Sequence, residues 1–478
     1  MNKERKLFRD TILYAIANFG SSALTFLMLP LYTRYFSPEQ YGTWDLFVTT
    51  ITLLVPFITF ELTSATYRWL LDQTDDLKST IISTGFFQLI RHAIVFNIIT
   101  IAIFLLIDFS YQWEALLLIN INMINSFLLQ CARGLKRNKL FAGLGILQTA
   151  IIVGFNLLFL LVFRLGIEAL FYANILAGLI ALLFAWKKLH FNQYLSLKNR
   201  SKELLRDYIS YAVPIIPAAA SWWVMTMADR WIIAAFLGIT ANGIYAVAIK
   251  IPAVLLMVNT VFSLAWKDSA IISYHTKEKN TFYTKTYQTY FRFMATTVIC
   301  LTLLAKPVIA IFLGDAYIEA WKYSGILLTA TLFHALALFW SAGFHGAKQT
   351  TSILSTSIIG AIINVILNIL LIKFIGLYAV AISTLVAFLV TWIMRVRAAK
   401  KYFSISFNYR DMVGLFLLII LAGIIPFWVG TKGLVASLLI NIIIFFTYNR
   451  NVLAYVWNEL VVRLKNVYLL SVNKSNNR

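Results

Sequence analysis

The chain has 478 residues, of which 60% are hydrophobic and 13% charged, with a mean hydropathy of +0.78 and a formal net charge of +21. A soluble domain carries roughly 45–50% apolar and about 25% charged residues, so a water-soluble fold of this composition is excluded and the solvent is lipid. The basic residues lie in short connections between apolar runs, which excludes a nucleic-acid partner and assigns the charge to topology and anionic headgroups.

A bilayer core of roughly 30 Å takes about 20 helical residues. Met1 to Arg9 is basic and precedes an apolar stretch reaching Phe36. That stretch exceeds the h-region of a cleaved signal, about 7–15 residues, so a retained first helix is expected. Spans are predicted near 10–34, 43–66, 80–106, 113–132, 142–164, 168–186, 208–237, 241–265, 288–313, 322–344, 351–373, 377–396, 411–429 and 433–448. With the first end inside, 32 Lys and Arg fall on the inner side and five outside: Arg34, Arg164, Lys322, Lys373 and Lys432. This asymmetry puts both ends in the cytoplasm. The connections are too short for an enzymatic domain. Lys198 and Arg200, in the central connection, are expected to set topology only, so reversing their charge should do little. The tail from Asn449 has helical apolar spacing (Val452, Tyr455, Val456, Leu460), which suits an interfacial amphipathic helix. Cys131 and Cys300 have neither disulfide nor metal spacing.

The chain repeats itself. Gly243-Ile-Tyr-Ala-Val-Ala-Ile249 recurs as Gly376-Leu-Tyr-Ala-Val-Ala-Ile382, and Gly42-Thr-Trp-Asp45 and Gly166-Ile-Glu-Ala169 occupy equivalent outer positions. Arg133-Gly-Leu-Lys-Arg137 is echoed by His345-Gly-Ala-Lys-Gln349. The expected fold is therefore an all-α integral membrane protein of about 14 transmembrane helices in two six-helix lobes plus a C-terminal pair. The lobes are 1–190 and 208–402, joined by a cytoplasmic connection at 191–207; helices 13–14 occupy 403–448 and the tail 449–478. Parallel repeats of this kind are common in secondary transporters.

Charge inside hydrocarbon is costly, so each intramembrane ionisable residue is a site candidate. The cations are Arg91, Arg230, Lys250 and Lys306. The acids are Glu61 and Asp229, with Asp45 near the outer face. His92, His334 and His345 complete the set. Arg91 and Lys250 sit near mid-depth in opposite lobes, as a cleft that grips an anion requires. Asp229 and Arg230 are adjacent and point about 100° apart, so they need different partners. Glu61 and His92 are candidates for proton or sodium coupling. Arg34 and Asp45 flank the first outer loop as gate or snorkelling residues. Pro214-x-x-Pro217 is expected to bend span 7. Asn120, Asn122, Asn125 and Gln130 serve either interhelix bonding or a hydrophilic lining. Gly143-Leu-Gly145 lacks the Lys-Ser/Thr of a phosphate loop, and neither metal-ligand spacing nor a nucleophile elbow occurs. No cofactor, metal or catalytic residue is expected.

Pro30-Leu-Tyr-Thr-Arg-Tyr-Phe-Ser-Pro-Glu-Gln-Tyr-Gly42, Ala228-Asp-Arg-Trp-Ile-Ile233, Gly243 to Lys250 and the Arg133 turn resemble, in order and spacing, the bacterial polysaccharide-unit flippases of the multidrug/oligosaccharidyl-lipid/polysaccharide exporter superfamily. The resemblance covers essentially the whole chain. It implies a V-shaped, two-lobed fold that alternates access and moves an undecaprenyl-pyrophosphate-linked oligosaccharide across the cytoplasmic membrane for capsule or O-antigen synthesis. Membrane lipid, a polysaccharide polymerase and glycosyltransferases are the implied partners. On this reading Arg91, Lys250 and Arg230 hold substrate, and Asp229, Glu61, His92, Arg34 and Asp45 gate or couple. Three rivals stand: a multidrug or cation antiporter, disfavoured by the basic midplane; a lipid II flippase; and a polymerase or ligase, disfavoured by the lack of a large outer loop.

Overall fold

The computed structural model describes residues 20, 23–72, 77–213, 215–430, 433, 438–439 and 441–450, and among these the regular structure is entirely helical. The helices are α1 (Leu29–Tyr35), α2 (Pro38–Thr59), α3 (Leu62–Asp72), α4 (Lys78–Phe104), α5 (Gln112–Gly134), α6 (Asn138–Leu157), α7 (Glu168–Leu189), α8 (Lys202–Ala212), α9 (Ile215–Met227), α10 (Asp229–Leu237), α11 (Ile239–Ala248), α12 (Lys250–Ser273), α13 (Lys279–Phe312), α14 (Trp321–Gly346), α15 (Thr350–Ile375), α16 (Leu377–Ala399) and α17 (Tyr409–Trp428).

Eleven described helices are long and apolar enough to cross a membrane, from Pro38–Thr59 to Tyr409–Trp428. The all-helical membrane fold is thus the one expected. Residues 10–19 and 21–22 of span 1, residues 434–437 and 440 of span 14, and the tail beyond Arg450 lie outside the described set. Span 7 is divided: α8 ends at Ala212, two residues before Pro214, and α9 and α10 continue from Ile215. On α4, Ile94, Val95, Ile98 and Ile99 are each more than half exposed, which only lipid tolerates.

Local chemistry sets the ends. Ser37 caps α2 in a capping box with Gln40, and Pro38 occupies the first turn, where its missing N–H is not needed. Span 2 breaks at Phe60 and Glu61, which have φ of 48° and 51°. Left-handed backbone at residues with side chains costs roughly 1–2 kcal/mol each. Pro56, within the last turn of α2, cannot donate to the preceding turn, and the Glu61 amide donates to its carbonyl at 3.2 Å to close the helix.

The chain forms two compact units that interleave in sequence. The first comprises Met1–Lys250, Phe312–Ala320 and Ser357–Ser383; the second comprises Ile251–Ile311, Trp321–Thr356 and Thr384–Arg478. The first unit is centred on Phe127, Phe171, Phe191, Leu62, Leu89 and Tyr208, all buried. Asn97 of α4 and Asn120 of α5 exchange hydrogen bonds at 2.9 and 3.0 Å, and Asn125 donates to the Gly178 carbonyl of α7 at 3.0 Å. These asparagines of span 4 therefore bond helices together. Above them, Tyr111 donates to Glu168 at 3.1 Å; burial and that bond push the Tyr111 phenol up to about 12. The second unit has an aromatic core. Phe339 stacks on Trp266 at 4.3 Å and Phe262 stacks on Tyr290 at 4.2 Å, while the Tyr290 hydroxyl donates to Asn259 at 2.6 Å.

Candidate functional site

The repeated glycines meet. A Cβ on Gly243 would overlap the Pro38 carbonyl, and one on Gly42 would overlap the Ile239 carbonyl and crowd the Gly243 amide. The N-terminal part of α2 and α11 therefore cross backbone to backbone. Asn242, fully buried, donates to the Gly42 carbonyl at 2.9 Å. Only glycine permits this approach, which gives the repeat a physical reason at these two positions. At Gly376 the reason differs: φ is +57° and space is open.

One turn along α2 from Gly42 lies a charged cluster. Asp45 Oδ2 sits 3.6 Å from Arg230 Nε, with side-chain exposures of 13% and 7%. That separation makes the pair chiefly Coulombic, because a good N–H···O bond lies near 2.9 Å. Arg230 also donates to the Thr226 carbonyl one turn back at 2.5 Å. Asp229 is 2% exposed and points elsewhere, accepting from the Tyr245 hydroxyl at 3.1 Å and the Asn368 amide at 2.7 Å. The adjacent acid and base thus take different partners, as helical geometry requires. Lys250 stands at the start of α12, half-buried and within electrostatic reach of Asp45 and Arg230. It makes no hydrogen bond or ion pair to any described residue. Beside the cluster lies a cavity of about 650 Å³ lined mainly by apolar and aromatic side chains, among them Phe47, Phe96, Phe104 and Trp231.

The other expected site residues are dispersed. Arg91 is exposed on α4, with no hydrogen bond or ion pair to a described residue, and it falls in the first unit together with Lys250. His92 shares a hydrogen with Gln88 at 2.9 Å and lies 4.9 Å from the Phe60 ring. Glu61 accepts from the Ser64 hydroxyl at 2.5 Å, at the start of α3. Arg34 is exposed at the end of α1, and the Asp45 carboxylate turns to Arg230. Lys306 donates to the Pro426 carbonyl in the last turn of α17 and lies 4.7 Å over the Trp321 ring. It ties helix ends together.

One buried cation was invisible in the sequence. The cations that follow it in the chain group Arg395 with the inner connections, yet it is 4% exposed. Its guanidinium donates to the Ala337 carbonyl at 2.9 Å, Ser341 Oγ at 2.8 Å and Thr356 Oγ1 at 3.1 Å. A planar fork with five donors joins α14, α15 and α16 within the second unit. Arg395→Met is expected to leave these acceptors unsatisfied and to destabilise the protein by about 3 kcal/mol. Thermal unfolding in detergent measures this, and Arg395→Lys should recover little, since one ammonium cannot span three helices. A melting temperature unchanged in both variants would remove this role.

Residues 7–266 match the model of a family described as polysaccharide biosynthesis protein. No curated protein sequence matches the chain significantly. Among solved structures, a lipid II flippase, MurJ, in an inward closed conformation superposes with a TM-score of 0.68 at 15% identity, covering 94% of this chain and all of that one. An inward-facing multidrug resistance MATE family transporter of the MOP superfamily gives a TM-score of 0.64 at 14% identity, covering 85% of this chain and 95% of that one. A MOP superfamily transporter from Pyrococcus furiosus, whose binding pocket has reverse polarity, gives 0.58 at 13% identity, covering 86% and 96%. At these identities the likeness establishes a shared fold.

Proposed function

We propose that this chain, which belongs to the polysaccharide biosynthesis protein family, flips an oligosaccharide linked through pyrophosphate to undecaprenol from the inner to the outer leaflet of the bacterial cytoplasmic membrane. The observation that carries this reading is the pair Arg91 and Lys250. Each lies in a membrane-spanning helix, and neither bonds a carboxylate among the described residues. An intramembrane cation engaged in no hydrogen bond or ion pair is poised for an anionic ligand. The neighbouring aromatic cavity suits the hydrocarbon part of the same amphipathic molecule. Access alternates between the leaflets, and a proton or sodium gradient or the membrane potential supplies the drive. Glu61 and His92 are the groups we assign to ion coupling. The polymer made from the flipped unit is a capsule or O-antigen, built with glycosyltransferases and a polymerase.

Reconstitution tests the assignment. Proteoliposomes loaded with a fluorescent undecaprenyl-pyrophosphate oligosaccharide should expose it to an external quencher or lectin faster than protein-free vesicles. Arg91→Ala and Lys250→Ala are each expected to lower that rate at least about tenfold, the loss of one charge-assisted contact. Both should leave membrane insertion intact. A wild-type rate equal to that of empty vesicles would reject the function, and full activity in both variants would reject the residues.

A further inference from the structure

The segment between α7 and α8 is laced to the first turns of α4. Ser83 Oγ donates to the Tyr194 carbonyl at 2.6 Å and accepts from the Ser196 amide at 2.9 Å. Thr84 Oγ1 accepts from the Ser201 amide at 3.1 Å, and Asn199 donates to Ser79 Oγ at 2.9 Å. Residues 84, 88 and 91 of α4 share one helix face. Against this segment they enclose a pocket of about 160 Å³, with a polar lining of Thr84, Gln88, Arg91, Arg200, Ser201 and Lys202. At about 30 Å³ per liquid water the space holds roughly five waters, enough for a phosphate group.

Three cations line this pocket and no carboxylate does; Glu203, next in the chain to Lys202, is not part of the lining. Arg91 makes no hydrogen bond or ion pair to a described residue. Arg200 commits its Nε to the Leu197 carbonyl at 3.1 Å and lies 5.6 Å over the Phe87 ring, which aims the guanidinium. Like charges held together in a concave site repel one another and concentrate anions. Two guanidinium forks and one ammonium match a tetrahedral oxyanion. Ser201 caps α8, so the positive end of that helix points the same way.

We propose that Arg91, Arg200 and Lys202 form a binding site for the phosphate or diphosphate group of a lipid. The lipid is either the translocated substrate or an anionic phospholipid of the bilayer; only the first alternative rests on the function proposed above. Arg200 then has a ligand-binding role, in place of the purely topological one expected for the connection.

The test is hydrogen exchange of the amides of residues 196–205 in the full-length protein in nanodiscs. In phosphatidylcholine discs, added inorganic pyrophosphate should slow exchange there several-fold. In the second arm, discs containing phosphatidylglycerol are compared without pyrophosphate. Protection by pyrophosphate alone assigns the site to the substrate diphosphate; protection by phosphatidylglycerol assigns it to headgroups. Arg200→Gln and Lys202→Gln, both at exposed positions, should each weaken the response about tenfold while protection of α5 and α7 stays unchanged. Absence of protection in both arms, or a full response in the Arg200→Gln/Lys202→Gln double variant, overturns the proposal. Since neither arm measures translocation, a failed pocket leaves the flippase reading standing, and an inactive flippase leaves the pocket measurable.

Discussion

Gly243→Val is expected to abolish translocation while the protein still inserts in the membrane. The new Cβ would occupy the position of the Pro38 carbonyl, and a backbone atom in a capped first turn cannot rotate aside. Overpacking of a tight contact costs typically about 1–3 kcal/mol, and a backbone obstacle places this substitution at the upper end. Moving α11 away from α2 also strains the bond from Asn242 to the Gly42 carbonyl. If the crossing forms and parts during the transport cycle, about 3 kcal/mol shifts the balance of states roughly a hundredfold. Gly42→Val should behave alike, for it meets the Ile239 carbonyl from the other side. Gly154→Ala is the control, because nothing lies within 4 Å of its added Cβ. Transport by Gly243→Val at the wild-type rate, with normal protein levels, would show that the close approach is dispensable.

Breaking the Asp45–Arg230 pair should have the next largest effect. Asp45→Ala leaves a guanidinium in surroundings where its side chain is 7% exposed. Removing one partner of a buried ion pair costs about 3–5 kcal/mol, mostly because the other charge is left uncompensated. Arg230→Ala strands the carboxylate in the same way. The double variant Asp45→Asn/Arg230→Gln carries no net charge in place of the pair and should recover most of the lost stability. Its transport should stay low, because the pair stands within electrostatic reach of Lys250, which we assign to the substrate. Thermal unfolding and reconstituted flipping, measured on the same preparations, separate the two effects. Recovery of both quantities in the double variant would assign the pair to packing alone.

Some of this architecture was legible before any coordinates. Apolar runs of about 20 residues name the spans, because hydrocarbon leaves the backbone no partner outside the helix. The adjacent Asp229 and Arg230 had to diverge, and they do, towards Tyr245 with Asn368 and towards Asp45. The repeated glycines were visible as a pattern, although their cause was not: Gly42 and Gly243 are 201 positions apart and become neighbours only when α2 and α11 cross. Arg395 shows the opposite failure. It ends the 377–396 run beside Arg397, Lys400 and Lys401, so the charge pattern groups it with the inner connection, while the folded chain covers it with Ala337, Ser341 and Thr356.

The sequence by itself determined that the protein lives in lipid and where most of its helices run. Those properties follow from composition and local periodicity, which the bilayer reads residue by residue. Tertiary structure alone decided which buried charge meets which partner, where backbones touch, and that Ser83 and Thr84 fasten the connection before α8 beside Arg91. Contacts between residues more than a hundred positions apart are set by packing, and side-chain chemistry names candidates for them without choosing among them.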